Sequence, residues 1–243
     1  MQNLSFIRKG ILALLVGATT LVACSKDSDN PEVPKGNYGV LIGGVELTSE
    51  NYQNINSTNF PAITEGTVTY DPIKRVLTLD GATINATGEK VAAINQPEGT
   101  TAALTIVLKN NNTLSSEKHF SIYVEDANLR ITGDKGFLKI AHKKEYNSIY
   151  AKKDLTLEGG CSIVVNDQIR VKNTLTINKA NVHVKEDGYP AFFVLGEINL
   201  IDCKVVTPEG AKKGKLKNSS GIYYNTFVKD HRFCKEVKIE ISE

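Results

Sequence analysis

The strongest constraint on the fold is a set of very short apolar segments that recurs along the chain. A first series begins at Ser121 (SIYV), Ser148 (SIYA), Gln168 (QIRV), Ala191 (AFFV) and Gly221 (GIYY), so that successive starts lie 27, 20, 23 and 30 residues apart. Most of these segments alternate buried-type and outward residues, as half-buried β-strands do. The chain is therefore predicted to be a series of repeated strand units.

Two further series accompany the first. A second series (LRI, LTL, LTI, INL) and a third (FLKI, CSIVV, ANVHV, CKVV) follow each of the first four members of the first series. One such unit cannot bury its own side chains, but coiling the units so that each strand pairs in parallel with its counterpart buries them along one axis. We predict an all-β fold, a right-handed parallel β-helix with three short strands per coil and about six coils. An antiparallel sandwich is the alternative.

The ends of such a stack need covers, because unpaired strand edges invite aggregation. Residues 38–75 are predicted to be the N-terminal cap: a hairpin turning at Gly43, a short helix beginning at Thr48 or Ser49, and a second hairpin turning at Asp71. Residues 76–234 are predicted to form the coils, and 235–243 a terminal strand that ends the stack. Together they make one β-helix domain over residues 38–243.

The N-terminus has the features of a secretory signal over residues 1–23: a positive start, an apolar run and small residues before Cys24. The LVAC sequence resembles the lipobox of bacterial lipoproteins, which implies cleavage before Cys24 and lipid attachment to its sulfur. Ordinary cleavage with Cys24 incidental is the alternative. Residues 24–37 are polar and predicted to be a flexible tether. The charges at Lys26, Asp27 and Asp29 resemble the export signal of Bacteroidetes surface lipoproteins.

Charge and cysteine content exclude some classes of function. Once the two basic residues of the signal are removed from the total of 29, 27 basic residues face 27 acidic ones. A neutral chain has no overall field that would attract nucleic acid, and we expect no nucleic-acid partner. Three cysteines remain after the anchor, Cys161, Cys203 and Cys234, without a C-x-x-C spacing. They are predicted to be free thiols rather than disulfides or metal ligands.

The resemblance to a family becomes specific at the opening YGVLIGG, the entry GTVTYDP…LTLDGATI and the coils that follow. These are similar to secreted bacterial β-helix proteins, among them uncharacterised lipoproteins and carbohydrate-binding domains. The resemblance covers about Tyr38 to the C-terminus. It implies the β-helix fold, a cell-surface setting on the outer membrane and an association with polysaccharide. The resemblance implies no catalytic residues in this chain.

The outward positions of the first series suggest a binding surface: Tyr123, Tyr150, Arg170, Phe193 and Tyr223. Parallel stacking would place them in one line. Exposed aromatic rings stack on the apolar faces of sugars, and an arginine can bind a uronate or sulfate group in a bidentate manner. The alternative is a structural role, with the line covered by residues 212–218, by the N-terminal segment or by a partner chain. The four-lysine segment 210–221 is predicted to be a mobile, solvated loop.

Enzyme activity would need carboxylates gathered for calcium binding or for acid–base catalysis. The nearest group lies in turns: Asp167, Glu186 and Asp187 form the candidate calcium cluster, and no other cofactor is expected. We therefore expect a lipid-anchored, non-enzymatic glycan-binding or adhesion module. One alternative is a calcium-dependent polysaccharide lyase or glycoside hydrolase. The other is a structural or interaction protein without a ligand.

Overall fold

The protein consists of short strands joined by tight turns. The computed structural model describes residues 31–141 and 149–242, and these residues contain no helix. The strands are β1 (Asn37–Ile42), β2 (Val45–Thr48), β3 (Ile63–Asp71), β4 (Val76–Glu89), β5 (Ile94–Gln96), β6 (Leu104–Lys109), β7 (Asn111–Lys118), β8 (Ile122–Val124), β9 (Leu129–Thr132), β10 (Phe137–Ile140), β11 (Ile149–Ala151), β12 (Leu155–Glu158), β13 (Ser162–Asn166), β14 (Ile169–Val171), β15 (Leu175–Asn178), β16 (Asn181–Lys185), β17 (Phe192–Val194), β18 (Ile198–Ile201), β19 (Cys203–Thr207), β20 (Lys212–Lys217), β21 (Tyr223–Lys229), β22 (Arg232–Phe233) and β23 (Glu236–Ile241). The all-β prediction is confirmed.

The repeated strands pair with their counterparts rather than with their neighbours in sequence. In the first series β5, β8, β11, β14 and β17 lie side by side and parallel, without a register shift. The second series runs β6, β9, β12, β15, β18, and the third β7, β10, β13, β16, all parallel. The long strand β4 pairs in parallel with both β6 and β7, which joins the second and third series in one sheet. The antiparallel alternative is wrong for these strands.

Alternation along the strands sets the core. Ile122 and Val124 are fully buried, whereas Tyr123 between them is half-buried on the outside. Their counterparts in the other repeats follow the same pattern, and the buried residues make one continuous apolar cluster. Fully burying a side chain of this size contributes roughly 1.5–3 kcal/mol. Each repeat is therefore stabilised by a few aliphatic side chains that are buried only when the repeats pack together.

A left-handed backbone residue makes the bend between the second and third strands of a repeat. The bend residues and their φ angles are Asn110 (54°), Lys135 (57°), Gly160 (82°), Lys179 (48°) and Asp202 (50°). A small residue comes next in most repeats, and the space there is narrow: a Cβ at Gly136 would lie 2.3 Å from the carbonyl oxygen of Leu108. Cys161 occupies this position as a buried free thiol, and burial raises its pKa to about 11.

The N-terminal cap is partly as predicted. The two hairpins are present, with Ile42 opposite Val45 and Asp71 opposite Val76. The predicted short helix is wrong, because residues 49–53 form turns. The side chain of Asn51 accepts a hydrogen bond from the Thr48 amide and donates one to the Glu46 carbonyl, each 2.8 Å long. These local bonds offer the backbone an alternative to a helix, as Asn side chains often do.

The C-terminal end departs furthest from the predicted repeat. Strand β23 does not end the stack: it lies between β16 and β19 and is antiparallel to both. The predicted mobile lysine loop is also wrong, because β20 forms an antiparallel hairpin with β21 at the edge of the first sheet. Strand β21 in turn is antiparallel to β17. The last turn of the fold is therefore closed by reversed strands.

Residues from Val33 onward form a compact unit of their own. The predicted signal over residues 1–23, Cys24 and the tether as far as residue 30 lie outside the described residues. In the described part of the chain, no helix is long and apolar enough to cross a membrane.

Candidate functional site

Four of the five predicted site residues lie in adjacent positions on neighbouring strands. Tyr123 is in register with Tyr150, Tyr150 with Arg170, and Arg170 with Phe193. We call these four residues, together with Tyr224, the aromatic ladder. Parallel in-register strands lie about 4.7–4.9 Å apart, which sets the spacing of the side chains. The predicted alignment of these four residues is confirmed, while their glycan-binding role stays a prediction.

The rings at the first end of the ladder pack mainly on one another. The centroids of Tyr123 and Tyr150 are 5.0 Å apart, with ring planes 18° from parallel. Phe120 contacts both, at 5.4 Å from Tyr123 and 5.1 Å from Tyr150, and His119 lies 4.8 Å from Tyr123. Ring pairs of this kind contribute about 0.5–1.5 kcal/mol beyond their buried area. Much of the ring surface that a sugar would need is thus used for packing.

A polar network holds the side chain of Tyr123, the first residue of the aromatic ladder. The Tyr123 hydroxyl donates a 2.6 Å hydrogen bond to Oε1 of Glu125, and Lys152 Nζ lies 2.8 Å from Oε2 of the same carboxylate. The bond from Lys152, with that from Tyr123, holds the pKa of Glu125 below its ordinary value. Burial and the bond to Glu125 raise the pKa of Tyr123. A tyrosine held in this way is a neutral donor and not a base.

Arg170 separates the two aromatic pairs of the ladder. Its guanidinium donates to the side-chain oxygen of Gln168, a side chain that is itself buried. Gln168 also donates to the Pro190 carbonyl. Arg170 is therefore bonded to the residue just before its own strand, and it is half-buried between Tyr150 and Phe193 in the register.

Tyr223, predicted to be the last residue of this line, is not part of the aromatic ladder. Because β21 runs antiparallel to β17, with Asn225 opposite Val194, the ring that stacks on Phe193 is that of Tyr224. Those centroids are 4.6 Å apart at 20°, and Tyr224 is only 5% exposed. The expected position of Tyr223 is wrong by one residue. A strand that reverses direction no longer continues the register of the repeat.

Tyr223 instead forms a separate group with lysines of β20. Its side chain is 56% exposed, and Nζ of Lys215 and Lys217 lie 5.5 and 5.3 Å from its ring centroid. These distances fall within the range of cation–π contacts. We call Tyr223, Lys215 and Lys217 the hairpin patch. It combines an accessible ring with two cations.

The hairpin that carries the patch is anchored to the body of the protein. Phe227 is fully buried, and its ring makes an edge contact with that of Phe192, with the centroids 5.3 Å apart. Lys213 Nζ donates a 3.1 Å hydrogen bond to the carbonyl of Ile198, on the edge strand β18. The patch is thus held on a strand pair with a fixed position.

The candidate calcium cluster is not assembled. Glu186 uses Oε2 to accept the backbone amides of Gly188, at 2.6 Å, and Tyr189. Residues 31–141 and 149–242 contain no group of three His, Cys, Asp or Glu side chains placed to hold a metal ion, and Asp167 and Asp187 belong to no such group. The role of Glu186 is to close its own turn.

Cys161, Cys203 and Cys234 are free thiols, as predicted. Two features of the site are not predicted from the sequence: Tyr224 and the lysine-bearing strand β20. The alternation of Lys213, Lys215 and Lys217 at every second position is the pattern of a strand and could have revealed β20. No protein-family model matches the chain, and neither a curated protein nor a solved structure matches it.

Proposed function

We propose that this protein is a lipid-anchored, cell-surface β-helix of the outer membrane that binds glycan without catalysing a reaction, and that it belongs with Bacteroidetes-type surface lipoproteins. The glycan surface is the hairpin patch. Adhesion through the same surface is the cellular role that such a module would serve. The membrane partner is reached through lipid on Cys24, and polysaccharide is the second partner.

The right-handed β-helix is part of this proposal. Strands β8, β11, β14 and β17 are parallel neighbours in one sheet, and each reaches the next through two strands of the other sheet. Crossovers between parallel strands of one sheet are right-handed in nearly all proteins, since strand twist favours that direction. The regular pairing therefore supports the coil, and the twist rule supports its hand.

One observation carries the proposed glycan function: the exposed ring of Tyr223 lies on a well-anchored hairpin. Sugar binding by stacking needs an accessible aromatic surface whose position is set before binding. Tyr123, Tyr150 and Phe193 are half-buried and pack on other rings, whereas Tyr223 is 56% exposed. The ladder then supports the coil, and Tyr223 contacts the ligand.

The lipid anchor and the surface location rest on the sequence around Cys24. Two or more acyl chains give durable membrane attachment, which a single chain does not. Replacing Cys24 with Ser in the native host tests this part. We expect loss of incorporated radiolabelled palmitate and release of the protein from membranes; unchanged labelling would remove the anchor from the proposal.

The glycan function is tested by affinity electrophoresis of the full chain in detergent, through gels containing individual neutral and acidic polysaccharides. We expect at least one polysaccharide to retard the protein and Tyr223→Ala to abolish the retardation. Tyr189→Ala is the matched control, because Tyr189 is 64% exposed in a turn elsewhere. Equal retardation of the parent and Tyr223→Ala, or none across the panel, would contradict the proposal.

The alternative of a calcium-dependent lyase or hydrolase lacks a calcium site in the part of the chain that the structure describes, where no group of three His, Cys, Asp or Glu side chains is placed to hold a metal ion. The alternative of a ligand-free structural protein agrees with the packing of the ladder, yet it offers no reason for the exposed ring of Tyr223.

A further inference from the structure

The three lysines of β20 that alternate with other residues project from one face of the hairpin. Lys213, Lys215 and Lys217 lie directly opposite Phe227, Asn225 and Tyr223. Residues opposite one another in an antiparallel pair point to the same side. Lys213 is bonded to the Ile198 carbonyl, so Lys215 and Lys217 are the two cations that remain beside the Tyr223 ring.

These two ammonium groups differ from several other lysines, because neither is in an ion pair with a carboxylate of the described residues. Lys152 is paired with Glu125, Lys118 with Glu89, Lys179 with Asp202 and Lys238 with Glu240. Within residues 31–141 and 149–242, the ion pairs include neither Lys215 nor Lys217. Two like charges beside one ring repel each other, and an anion bound between them would relieve that repulsion.

The position of Tyr223 explains why the hairpin patch is accessible to a ligand. Strand β17 ends at Val194, which pairs with Asn225, and Tyr223 lies two residues before Asn225, past the end of β17. The hairpin therefore extends beyond its neighbouring strand. The hairpin patch thus combines the exposed ring of Tyr223, which suits a sugar face, with two positive charges.

We propose that the hairpin patch recognises the anionic groups of an acidic polysaccharide. The inference rests on the proposed glycan function and specifies its ligand class. A sugar ring stacks on Tyr223, and Lys215 and Lys217 bind its carboxylate or sulfate through charge-assisted hydrogen bonds. Nucleic acid is also a polyanion and could contact Lys215 and Lys217. The formal net charge of +2 over the whole chain, however, provides no extended positive field for it.

Lysines on an edge strand also have a simpler use, because they discourage pairing with other chains. That role depends on charge along the edge and not on its position relative to Tyr223. Lys212 lies on the same strand opposite Val228, and Lys229 is exposed at the other end of β21. The double variant Lys212→Gln/Lys229→Gln therefore removes the same charge from the hairpin while sparing the patch.

The test measures binding of the full chain in detergent to two matched pairs of probes: dextran sulfate against dextran, and polygalacturonate against its methyl ester. We expect one or both anionic probes to bind, and each neutral partner to bind at least tenfold more weakly. Lys215→Gln/Lys217→Gln should weaken anionic binding about tenfold or more, whereas Lys212→Gln/Lys229→Gln should change it less than twofold. Lys215→Glu/Lys217→Glu should abolish it.

The outcomes separate this inference from the proposed function. If Tyr223→Ala abolishes binding but neutral and anionic probes bind equally, glycan binding stands and the anionic class is overturned. Equal effects of the two Lys→Gln pairs would also overturn it, since bulk charge would then suffice. Tighter binding to a single-stranded oligonucleotide or to anionic phosphatidylglycerol vesicles would assign the patch to a different partner. Binding to no polysaccharide at all would refute the proposed function itself.

Discussion

Two tyrosines in nearly the same local sequence differ in their exposure to solvent. Tyr150 follows Ile149 in the middle of the stack, and Tyr223 follows Ile222 at its C-terminal end. Ile149 is fully buried and Tyr150 packs on Tyr123, whereas Ile222 is 49% and Tyr223 is 56% exposed. The difference comes from the strands beside them: β11 lies between two parallel counterparts, while β21 runs the other way.

The comparison shows how one repeated motif can serve both stability and recognition. Inside the stack, an outward aromatic residue finds another ring one strand away and becomes part of the packing. At the end, the reversed strand presents one tyrosine to Phe193 and leaves the preceding one exposed beside two lysines. The four predictions below test whether the ladder and the hairpin patch are separate in this way.

The largest effect is expected from detaching the hairpin. Phe227 is fully buried against Phe192, so Phe227→Ala leaves a cavity where the hairpin meets the core. We expect the free energy of unfolding to fall by about 4 kcal/mol and glycan retention to weaken as well. Urea denaturation and affinity electrophoresis measure the two quantities. Full retention in a destabilised variant would show that the patch does not need its anchor.

Tyr150→Ala should affect stability alone. Removing a half-buried ring that packs on Tyr123 and Phe120 should cost about 2 kcal/mol in urea denaturation. Polysaccharide retention should be unchanged at temperatures where the variant is folded. A double-mutant cycle with Tyr123→Ala should give a coupling of about 1 kcal/mol. Loss of retention in the folded Tyr150→Ala variant would place the ligand on the ladder instead.

A pH dependence should arise from the ladder through Glu125. Its pKa in the folded protein lies below its ordinary value of 4.5, so its bonds to Lys152 and Tyr123 stabilise the fold above that pH and are lost as pH falls further. Glu125→Gln should cost about 1 kcal/mol at neutral pH, allowing for solvent screening, and less at pH 3. Glu98→Gln, at an exposed position nearby, is the control. A cost that does not change with pH would contradict this account.

The smallest effect on stability is expected at Tyr223. An exposed side chain outside the core should change the free energy of unfolding by less than about 0.5 kcal/mol when replaced with Ala. The same substitution should have the largest effect on glycan retention. This inverse relation to Tyr150→Ala is the clearest sign that the two tyrosines have different roles. A stability loss comparable to that of Tyr150→Ala would show that Tyr223 also supports the fold.

Much of the fold follows from local patterns. The spacing of short alternating segments predicts the three strand series, and the turns at Gly43 and Asp71 predict both N-terminal hairpins. The same alternation predicts that Ile122 and Val124 are buried and Tyr123 is not. These predictions succeed because each repeat pairs with a neighbouring repeat of the same strand pattern. The local sequence pattern and the tertiary pairing therefore agree.

The candidate site could be predicted only in part. The register of Tyr123, Tyr150, Arg170 and Phe193 follows from the repeat, but the covering of those rings by Phe120 and by one another does not. The repeat pattern predicts one more parallel strand at Tyr223 and therefore puts the wrong tyrosine beside Phe193. The lysines of β20 indicate a solvated loop by their charge, although their alternation favours a strand.

The amino-acid sequence by itself determined the repeating β architecture, since side-chain alternation and strand length act locally and recur along the chain. It also determined which residues face outward in the middle repeats. Only the tertiary structure decided the direction of β21, the insertion of β23 between β16 and β19, and hence which tyrosine is covered and which is exposed. Strand direction and pairing at the end of a stack depend on contacts between residues distant in sequence, and no local pattern specifies them.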